Sequence, residues 1–318
     1  MSKKVMVTGG AGFIGSNLVE KLVNDKYETI VCDNLSTGRI ENLKNVMTEI
    51  KFYECDINDD KIFEIIKGVD TVFHQAAIPS VPRSVEDPIT TNKANIDGTL
   101  KLLIAAREAK VRRFIFASSS SIYGDTQELP KRENMIPNPL SPYAITKLTA
   151  EHYCRVFYDL YGLETVCLRY FNIFGPKQNP ESQYAAAIPK FINMVLNNVK
   201  PTVYGDGCQT RDFTFVENVV SANILAMSAI SAPGKIINIG CEKAISVNEL
   251  VNIIKKILKS SIEPEYLPKK PGDVRDSLSD ITLAKKILNY FPATDIYEGL
   301  EKTCKYFSDI HRIANRKL

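Results

Sequence analysis

Short apolar runs recur along the first half of the chain, and each of them ends in polar or small residues. Between the runs, apolar residues return every three or four positions, the spacing of an amphipathic helix, at 14–25, 58–67, 89–110 and 142–161. The runs themselves have the length of strands and read KKVMVTG, YETIVCD, IKFYECD, VDTVFHQAA, RRFIFASSS and ETVCLRYFN. Strand and helix in this alternation predict an α/β fold with a doubly wound parallel sheet.

Beyond about residue 175 the alternation loosens, and helical spacing returns between loops rich in proline and glycine, such as YLPKKPGD. The predicted helices of this part span 186–198, 217–230, 246–259, 280–289 and 297–309. The pattern predicts two units. One is a sheet domain at 1–174, to which the chain returns near 209–240, and the other is a smaller, interleaved α/β lobe at 175–318.

Composition argues against several classes of protein for this chain of 318 residues. The formal net charge is +3 and the basic residues are scattered among the acidic ones, which does not predict nucleic-acid binding. No apolar run approaches the ~18 residues of a membrane span. Seven cysteines lie far apart, several of them in apolar runs, which predicts buried thiols in a reducing compartment, the cytoplasm. With three dispersed histidines, a metal site is not expected.

Ligands of a doubly wound sheet bind beyond the carboxyl ends of its strands, so the residues that directly follow each strand are the first site candidates. In chain order these residues are Gly9, Asp33, Asp56, Gln75, Ser119 and Asn172. Asp56 is placed to meet an adenine, or it caps the helix expected after DINDD.

The first of these strand ends carries a glycine-rich turn, TGGAGFIG, between a strand and a helix. Gly10, Gly12 and Gly15 fit G-x-G-x-x-G, and Gly9, Gly12 and Gly15 fit the related G-x-x-G-x-x-G. Such glycines let backbone amides close on a pyrophosphate, although a tight strand–helix turn alone would also use them. Asp33 follows the second strand, 18 residues after Gly15, where a carboxylate can accept from both adenosine ribose hydroxyls. No arginine directly follows Asp33, so NAD is predicted rather than NADP.

A second motif, SPYAITK, places Tyr143 and Lys147 four residues apart on a predicted helix, where they share one face. Ser141 can cap that helix, and a proline suits its first turn. The pair is a weak signal alone, because Tyr266 and Lys270 repeat it inside a loop rich in proline and lysine. Context strengthens the first copy, since the serines of FIFASSSSIYG end the fifth strand and emerge beside this helix.

Taken together, the chain resembles the extended short-chain dehydrogenase/reductase family, specifically its nucleotide-sugar 4-epimerases. The motifs that carry the resemblance are TGGAGFIG, DNLSTG, DI, HQAA, NIDGT, SSSSIYG, SPYAITK, LRYFN, RDFTFVEN and GDVRDSLSD. The resemblance implies a Rossmann domain with a smaller substrate lobe, Tyr143 as the general base and acid, Lys147 as its activator, and Ser119 as the hydroxyl on the sugar oxygen. Counting back from the tyrosine of SSSSIYG favours Ser119, with Ser118 or Ser120 second.

The resemblance also implies two sets of contacts. The cofactor set is Gly9, Gly12, Phe13, Ile14, Gly15, Asp33, Asn34, Ser36, Thr37, Gly38, Asp56, Ile57, Gln75, Ala76, Ala77, Asn95, Ser118, Tyr143, Lys147 and Phe171. The substrate set is Ser80, Ser119, Ser120, Tyr143, Asn172, Ala186, Ala187, Tyr204, Arg211, Lys270, Asp273 and Ser277.

Ionising Tyr143 at neutral pH requires a pKa about three units below its ordinary value of about 10, or about 4 kcal/mol. One cation at about 4 Å supplies roughly that at an effective dielectric near 20. We therefore expect the Lys147 ammonium and the positive nicotinamide of NAD⁺ to act together on this phenol.

The residues around the motifs narrow the chemistry. Dehydratases of the family carry an Asp-Glu pair just before Val-Tyr-Gly, and related decarboxylases have at least the glutamate. Here Ser120 and Ser121 stand in those places, which disfavours elimination. The prediction is reversible oxidation at C4 of a UDP-sugar by NAD that stays bound, followed by return of the hydride to the other face.

Arg211 and the stretch KKPGDVRD match the family's diphosphate clamp, although this stretch could also be a solvated basic loop. Lys270 stands where arginine is usual and supplies charge without a bidentate fork; Arg275 is the candidate to compensate. Asp273 holds the nucleotide ribose or caps a turn.

Ser277 falls where epimerases limited to glucose and galactose have a tyrosine, so it either leaves room for an N-acetyl group or is an ordinary exposed loop residue. Ala186 would be a small wall of the same pocket. We therefore expect activity on UDP-N-acetylhexosamines and UDP-hexoses, with preference for the acetylated sugars.

Two other functions remain open at this stage. One is a UDP-glucuronate 4-epimerase, in which Arg83 or Arg275 seats the carboxylate; the other is a regulator that binds NAD without catalysis. The resemblance implies a homodimer through the helices near 89–110 and 142–161, whose apolar faces could equally be core.

Overall fold

The computed structural model describes residues 3–179, 186–269 and 275–315, which form one large sheet, three small sheets and flanking helices. The strands are β1 (Lys4–Thr8), β2 (Glu28–Asp33), β3 (Ile50–Glu54), β4 (Thr71–His74), β5 (Arg113–Ser119), β6 (Glu164–Tyr170), β7 (Ile173–Phe174), β8 (Thr202–Tyr204), β9 (Thr210–Asp212), β10 (Thr214–Phe215), β11 (Lys235–Ile239), β12 (Ala244–Ser246), β13 (Glu265–Leu267) and β14 (Asp276–Ser277). The helices are α1 (Phe13–Asn24), α2 (Ile62–Ile65), α3 (Val81–Glu86), α4 (Pro88–Asn92), α5 (Gly98–Glu108), α6 (Pro142–Tyr161), α7 (Ala187–Leu196), α8 (Val216–Ser228), α9 (Val247–Ile257), α10 (Thr282–Leu288) and α11 (Ile296–Asn315).

The large sheet is parallel throughout, and its strands run in the order β11, β6, β5, β4, β1, β2, β3. From β1 the chain proceeds to β2 and β3 on one side and to β4, β5 and β6 on the other. The point between β1 and β4 where the direction switches opens a crevice at the carboxyl ends of the strands. The predicted doubly wound parallel sheet is confirmed.

Apolar residues on the two faces of the sheet enter separate cores. Val5 and Val7 of β1 pack with α1, α8 and α10 on one face, whereas Met6 packs with α2, α5 and α6 on the other. A third core lies between α7, α9 and α11. The boundary predicted near residue 174 stays a prediction, although β11 does bring the chain back to the edge of the large sheet.

Local chemistry explains why one predicted helix is accurate. The prediction at 142–161 matches α6 at both ends, because Ser141 Oγ accepts from the amide of Ala144 at 3.2 Å and Gly162 ends the helix in the left-handed conformation with φ of 69°. Helices α1, α7, α8, α9 and α10 also lie within one or two residues of their predicted bounds. The predicted helix at 297–309 is longer, extending from Ile296 to Asn315 as α11.

Two other predicted helices are wrong in their extent. The helix expected at 58–67 is only α2, because the side chains of Asp56 and Asp59 bond nearby backbone amides and form turns in its place. The helix expected at 89–110 is divided into α4, a π-helical turn at Lys93–Asp97, and α5. Asn95 lies inside that turn, 2% exposed, and exchanges hydrogen bonds with both the amide and the carbonyl of Ile78. The π-helical turn therefore places Asn95 against the backbone of Ile78, a contact that local helix propensity does not predict.

All seven cysteines are free thiols, and five of them are buried, at positions 32, 55, 154, 167 and 304. Over the described ranges, no helix combines the length and the apolar character that crossing a membrane requires.

The glycine turn yields a stability prediction. A Cβ on Gly15 would lie 2.1 Å from the carbonyl oxygen of Gly9, whereas one on Gly12 would meet the same atom at 3.1 Å. We expect Gly15→Ala to lower the free energy of unfolding by about 2 kcal/mol, measured by urea denaturation, because backbone must shift to make room. Gly12→Ala is the matched control and should change it by less than about 1 kcal/mol; equal losses in both variants would contradict the packing argument.

Candidate active site

The glycine-rich turn builds the first wall of the crevice. Gly9 follows β1 with φ of +67°, and a Cβ there would lie 2.6 Å from the amide nitrogen of Ala76, so the close approach of β4 requires glycine. Gly12 is the N-cap of α1 and offers no side-chain acceptor to the first turn. The amides of Phe13 and Ile14 at this helix N-terminus are therefore suited to an anion such as a pyrophosphate.

Asp33, the last residue of β2, faces this turn. Its Oδ2 accepts from the amide of Ala11 at 2.9 Å and its Oδ1 from the amide of Leu35 at 2.8 Å. Burial raises the pKa of the Asp33 carboxyl, and these amide bonds oppose the rise. A Cβ on Gly38 would lie 2.9 Å from both carboxylate oxygens, so Gly38 also belongs to this site. A buried carboxylate beside the turn is where the ribose of a bound dinucleotide needs an acceptor.

The loop after β2 carries Asn34, Ser36 and Thr37 and reaches the loop after β3. Asn34 Nδ2 donates to Asp56 at 2.6 Å, and Asp56 accepts from the amide of Asn58 at 2.8 Å. Burial opposes ionisation of Asp56, but these bonds outweigh it and lower the pKa of the carboxyl. Because α2 begins only at Ile62, Asp56 closes a turn and does not cap that helix.

The end of β4 supplies the opposite wall. Gln75, Ala76 and Ala77 follow this strand directly, and Gln75 Nε2 donates to Tyr170 at 3.2 Å and to Asn223 at 3.1 Å. No local sequence pattern indicates these two partners, because they come from β6 and α8. Two other predicted residues are buried: Ile57, which a Cβ on Gly98 would contact at 2.6 Å, and Phe171, which directly follows β6.

The structure brings Tyr143, Lys147 and Ser119 together at the carboxyl end of β5. Lys147 Nζ donates to the carbonyl of Ala117 at 2.8 Å and lies 5.9 Å from the ring centroid of Tyr143. The hydroxyl of Ser119 faces the Tyr143 phenol and favours its ionised form, which opposes the rise in its pKa. Ser84 accepts from the amide of Tyr143 at 3.1 Å and fixes the start of α6. A phenol, an ammonium and a hydroxyl so arranged can move a proton at one substrate oxygen.

The four serines after β5 have distinct environments. Ser118 Oγ donates to Glu151 at 2.6 Å, so its hydroxyl is engaged in the interior and not by Tyr143. Ser120 begins a 3-10 turn, and the hydroxyl of Ser121 is buried with no hydrogen-bond partner within the described ranges. Ser119 is the serine that contacts Tyr143, which favours it over the alternatives Ser118 and Ser120.

Burial shifts the pKa of both Lys147 and Tyr143. Burial lowers the pKa of the Lys147 ammonium to about 8, while the nearby Cys154 and Glu151 oppose the shift. Burial raises the pKa of the Tyr143 phenol, and its bond to Ser119 offsets only part of that. The expectation that Lys147 and the nicotinamide of NAD⁺ together lower the pKa of Tyr143 stays a prediction. Among the protein groups by themselves, desolvation of the buried phenol has the largest effect on that pKa.

The substrate side is built from the smaller sheets. Asn172 adopts φ of 41°, and its Nδ2 donates to the carbonyl of Asp212 at 3.0 Å and to Ser277 Oγ at 3.4 Å. Ser277 is half-buried on β14, opposite Arg211 of β9 in the parallel register. Ser277 is therefore a strand residue and not an exposed loop residue. Arg211 Nη1 donates to the carbonyl of Arg275 at 3.0 Å, which ties the two strands together.

The remaining predicted residues are more scattered. Ser80 caps α3, Ala186 and Ala187 begin α7 with exposed side chains, and the carbonyl of Tyr204 accepts from Gln209. Arg275 makes two 3.2 Å contacts with Asp206, so its guanidinium is already paired. Lys270 and Asp273 lie outside the described residues.

Sequence reasoning missed Glu151 and Ser84 as supports of the reaction centre. Glu151 follows Lys147 by four residues on α6, a spacing that places both on one helix face and could have drawn attention to it. Ser84 carried no such signal, because only the packing of α3 against α6 brings it to Tyr143.

Comparison with known proteins agrees with this geometry. The model of the NAD dependent epimerase/dehydratase family matches residues 5–240. A UDP-N-acetylglucosamine 4-epimerase from Methanobrevibacter ruminantium, solved with UDP-N-acetylmuramic acid, is 42% identical, with a TM-score of 0.94 over 97% of this chain and 99% of its own. The UDP-glucose 4-epimerase of Thermotoga maritima, solved with UDP-glucose, is 39% identical, with a TM-score of 0.93 over 97% and 99% of the two chains.

A third similar structure was solved with the cofactor. The UDP-glucuronic acid 4-epimerase of Bacillus cereus, in complex with UDP-glucuronic acid and NAD, is 32% identical, with a TM-score of 0.90 over 96% of this chain and 99% of its own. The predicted family and its cofactor, NAD, are thereby confirmed at the level of the family. The chain belongs to the NAD-dependent epimerase/dehydratase family, and the similar solved structures described above are UDP-sugar 4-epimerases.

Proposed function

We propose that the protein is a 4-epimerase that interconverts UDP-N-acetylglucosamine with its galacto epimer and also acts on UDP-glucose and UDP-galactose. The observation that carries the proposal is the contact of Tyr143 with Ser119 beside the buried Lys147, at the strand ends where the glycine turn and Asp33 form a dinucleotide site.

The residues fit NAD at this place: the glycine turn has no room for side chains, α1 has an uncapped first turn, and the Asp33 carboxylate stands beside both. When bound, NAD supplies a hydride acceptor for C4 of the sugar and the positive charge that lowers the pKa of a neighbouring phenol. Tyr143 takes the proton of the 4-hydroxyl, and Ser119 donates a hydrogen bond to the same sugar oxygen. After the 4-keto sugar turns over, Tyr143 would return the proton to that oxygen. Because bound NAD would take up and give back the same hydride, the reaction would be redox-neutral.

The site favours this reaction over elimination. Water loss or decarboxylation in the resembling enzymes uses an acidic residue where Ser120 and Ser121 stand here. The Ser121 hydroxyl is buried beside Ser119 and has no carboxylate partner within the described part of the chain. A hydroxyl of ordinary pKa cannot serve as the acid or base of elimination at neutral pH.

Preference for acetylated sugars rests on small side chains at the substrate lobe. Ser277 lies half-buried between Asn172 and Arg211, and Ala186 and Ala187 add little volume at the start of α7. A wider pocket loses only about 1–3 kcal/mol of apolar contact with a smaller sugar, so UDP-glucose should still react.

A UDP-glucuronate 4-epimerase is the second candidate, because Arg83 lies one residue before Ser84, whose hydroxyl binds the backbone of Tyr143. Arg275, the other arginine proposed to seat the carboxylate of UDP-glucuronate, is already paired with Asp206, which weakens its case for that role. Product analysis with UDP-N-acetylglucosamine, UDP-glucose and UDP-glucuronate, followed by chromatography, separates these functions.

The purified protein, with no NAD added, should form the galacto epimer from UDP-N-acetylglucosamine at a higher kcat/KM than from UDP-glucose. Ser277→Tyr should lower kcat/KM for the acetylated substrate by at least tenfold, because the larger ring fills the space proposed for the acetyl group. Ser277→Ala is the matched control, which keeps the space and retains the preference. Undiminished turnover of UDP-N-acetylglucosamine by Ser277→Tyr would remove Ser277 from the specificity model.

Tyr143→Phe should fold normally and lower kcat for epimerisation by about 10³-fold, since general acid–base catalysis contributes 10²–10⁴-fold. Tyr266→Phe removes the exposed phenol of the second Tyr–Lys pair, whose hydroxyl donates to Asn248 Oδ1 at 2.9 Å, and should leave kcat unchanged. Wild-type turnover by Tyr143→Phe would refute the mechanism.

We also propose that a second copy of the chain covers an exposed apolar stripe on α4 and α6. Ile89 is 81% exposed and Leu160 is 69% exposed, and Ile145 and Val156 continue the stripe at helical spacing. Leu160→Glu should convert a dimer to a monomer in light scattering coupled to size exclusion. Ile230→Glu, at another exposed site after α8, should not. A wild type that is already monomeric would contradict the proposed dimer.

A further inference from the structure

A buried carboxylate lies one helical turn beyond the candidate catalytic lysine and takes no part in the reaction described above. Glu151 on α6 is 1% exposed. Its Oε1 accepts from Ser118 Oγ at 2.6 Å and from Arg169 Nε at 2.9 Å, and its Oε2 accepts from Arg169 Nη2 at 2.8 Å. The carboxylate is thus held by a bidentate arginine and one hydroxyl.

The network continues across the sheet. Arg169 Nη1 donates to the hydroxyl of Tyr123 at 2.8 Å, and that hydroxyl donates to Asn238 Oδ1 at 2.7 Å. Arg169 is on β6 and Asn238 on β11, so α6, β6 and β11 are joined beneath the reaction centre. A buried and well-bonded network of this kind resists displacement of any one member.

Three consecutive residues of β5 connect this network to the chemistry. The carbonyl of Ala117 receives the Lys147 ammonium, the hydroxyl of Ser118 is held by Glu151, and the hydroxyl of Ser119 contacts Tyr143. Glu151 therefore holds β5 at Ser118, between Ala117, which contacts Lys147, and Ser119, which contacts Tyr143. A shift of Ser118 would move both of those contacts together.

Glu151 also acts on the charge of Lys147. Burial lowers the pKa of this ammonium to about 8, although Cys154 and the negative Glu151 carboxylate both oppose the shift. Arg169 faces the same carboxylate from β6 and already pairs with it. Two other titratable groups near Lys147 are uncharged at neutral pH. His74 on β4 is kept neutral by a pKa of about 3, and Cys167 on β6 is kept a thiol by a pKa well above the ordinary value. Cys154 on α6 and Tyr143 complete the groups around it.

We propose that Glu151 is a positioning residue of the reaction: through Ser118 it fixes the end of β5, and through its charge it keeps Lys147 an ammonium at neutral pH. The positioning of Tyr143 for epimerisation rests on the proposed function, whereas the effect on the lysine charge does not. Glu151 contacts neither substrate nor cofactor in this account.

The test measures the protonation of Lys147 directly. In protein labelled with ¹³C at lysine Cε, the Lys147 resonance is identified by its loss in Lys147→Met, and its shift is followed against pH. Wild type should titrate near pH 8, and Glu151→Gln should titrate about one pH unit lower, because removing an anion destabilises the ammonium. The alkaline fall of kcat for UDP-sugar epimerisation should move down by the same amount.

Two variants separate charge from anchoring. Asp159→Asn removes an exposed carboxylate from the same helix, paired with Arg155, and should leave the Lys147 midpoint and kcat unchanged. Ser118→Ala keeps the Glu151 charge but removes the hydrogen bond that joins Glu151 to β5. It should leave the midpoint in place and lower kcat about tenfold, since small misplacements of catalytic groups are costly.

Glu151→Gln leaves Arg169 buried without its counter-ion, which can unfold the protein. Glu151→Gln combined with Arg169→Met removes the pair together and should show the same lower midpoint. An unchanged Lys147 midpoint in a folded variant that lacks Glu151 overturns the charge proposal, and full kcat in Ser118→Ala overturns the anchoring. A wild type that turns over no UDP-sugar would refute the proposed function, while the lysine midpoint would still decide the role of the Glu151 charge.

Discussion

A buried ammonium at the end of a parallel strand organises the centre of this protein. Lys147 is 4% exposed, donates to the carbonyl of Ala117, and lies 4.8 Å from the centroid of the Phe116 ring. A charge so deep is tolerated because it is bonded and because a carboxylate lies one turn away on the same helix. Since β5 supplies Lys147 with its acceptor and Tyr143 with its serine partner, the helix and the strand cannot shift independently without loss of this arrangement.

A second buried polar group joins the large sheet to one of the smaller sheets. Asp212 at the end of β9 is fully buried, and its carboxylate accepts from the amides of Cys241 and Glu242 and from both the amide and the hydroxyl of Ser279. Burial raises the pKa of this carboxyl, and the four donors oppose the rise. The donors come from the loop after β11 and from the segment after β14, so one side chain connects the large sheet to the strands that carry Arg211 and Ser277.

Sequence patterns predicted best where structure is decided locally. The bounds of α6 follow from Ser141, Pro142 and Gly162, each of which acts within one turn of the helix. The glycine turn and Asp33 were likewise predicted, because the spacing of strand, glycines and acid reflects the geometry of one βαβ unit. Where side chains competed with the backbone, as at Asp56 and Asp59, the periodic pattern overestimated the helix.

By itself, the sequence determined the α/β class, the position of the dinucleotide turn and the pairing of Tyr143 with Lys147, since each depends on residues close together along the chain. The tertiary structure alone decided which serine faces Tyr143, that Asn95 sits in a π-helical turn, and that Ser277 lies on a strand beside Asn172. It also decided the protonation of the site, because the pKa of Lys147 and of Tyr143 depends on burial between elements far apart in sequence. Desolvation is a property of packing in three dimensions, and no local pattern of residues records it.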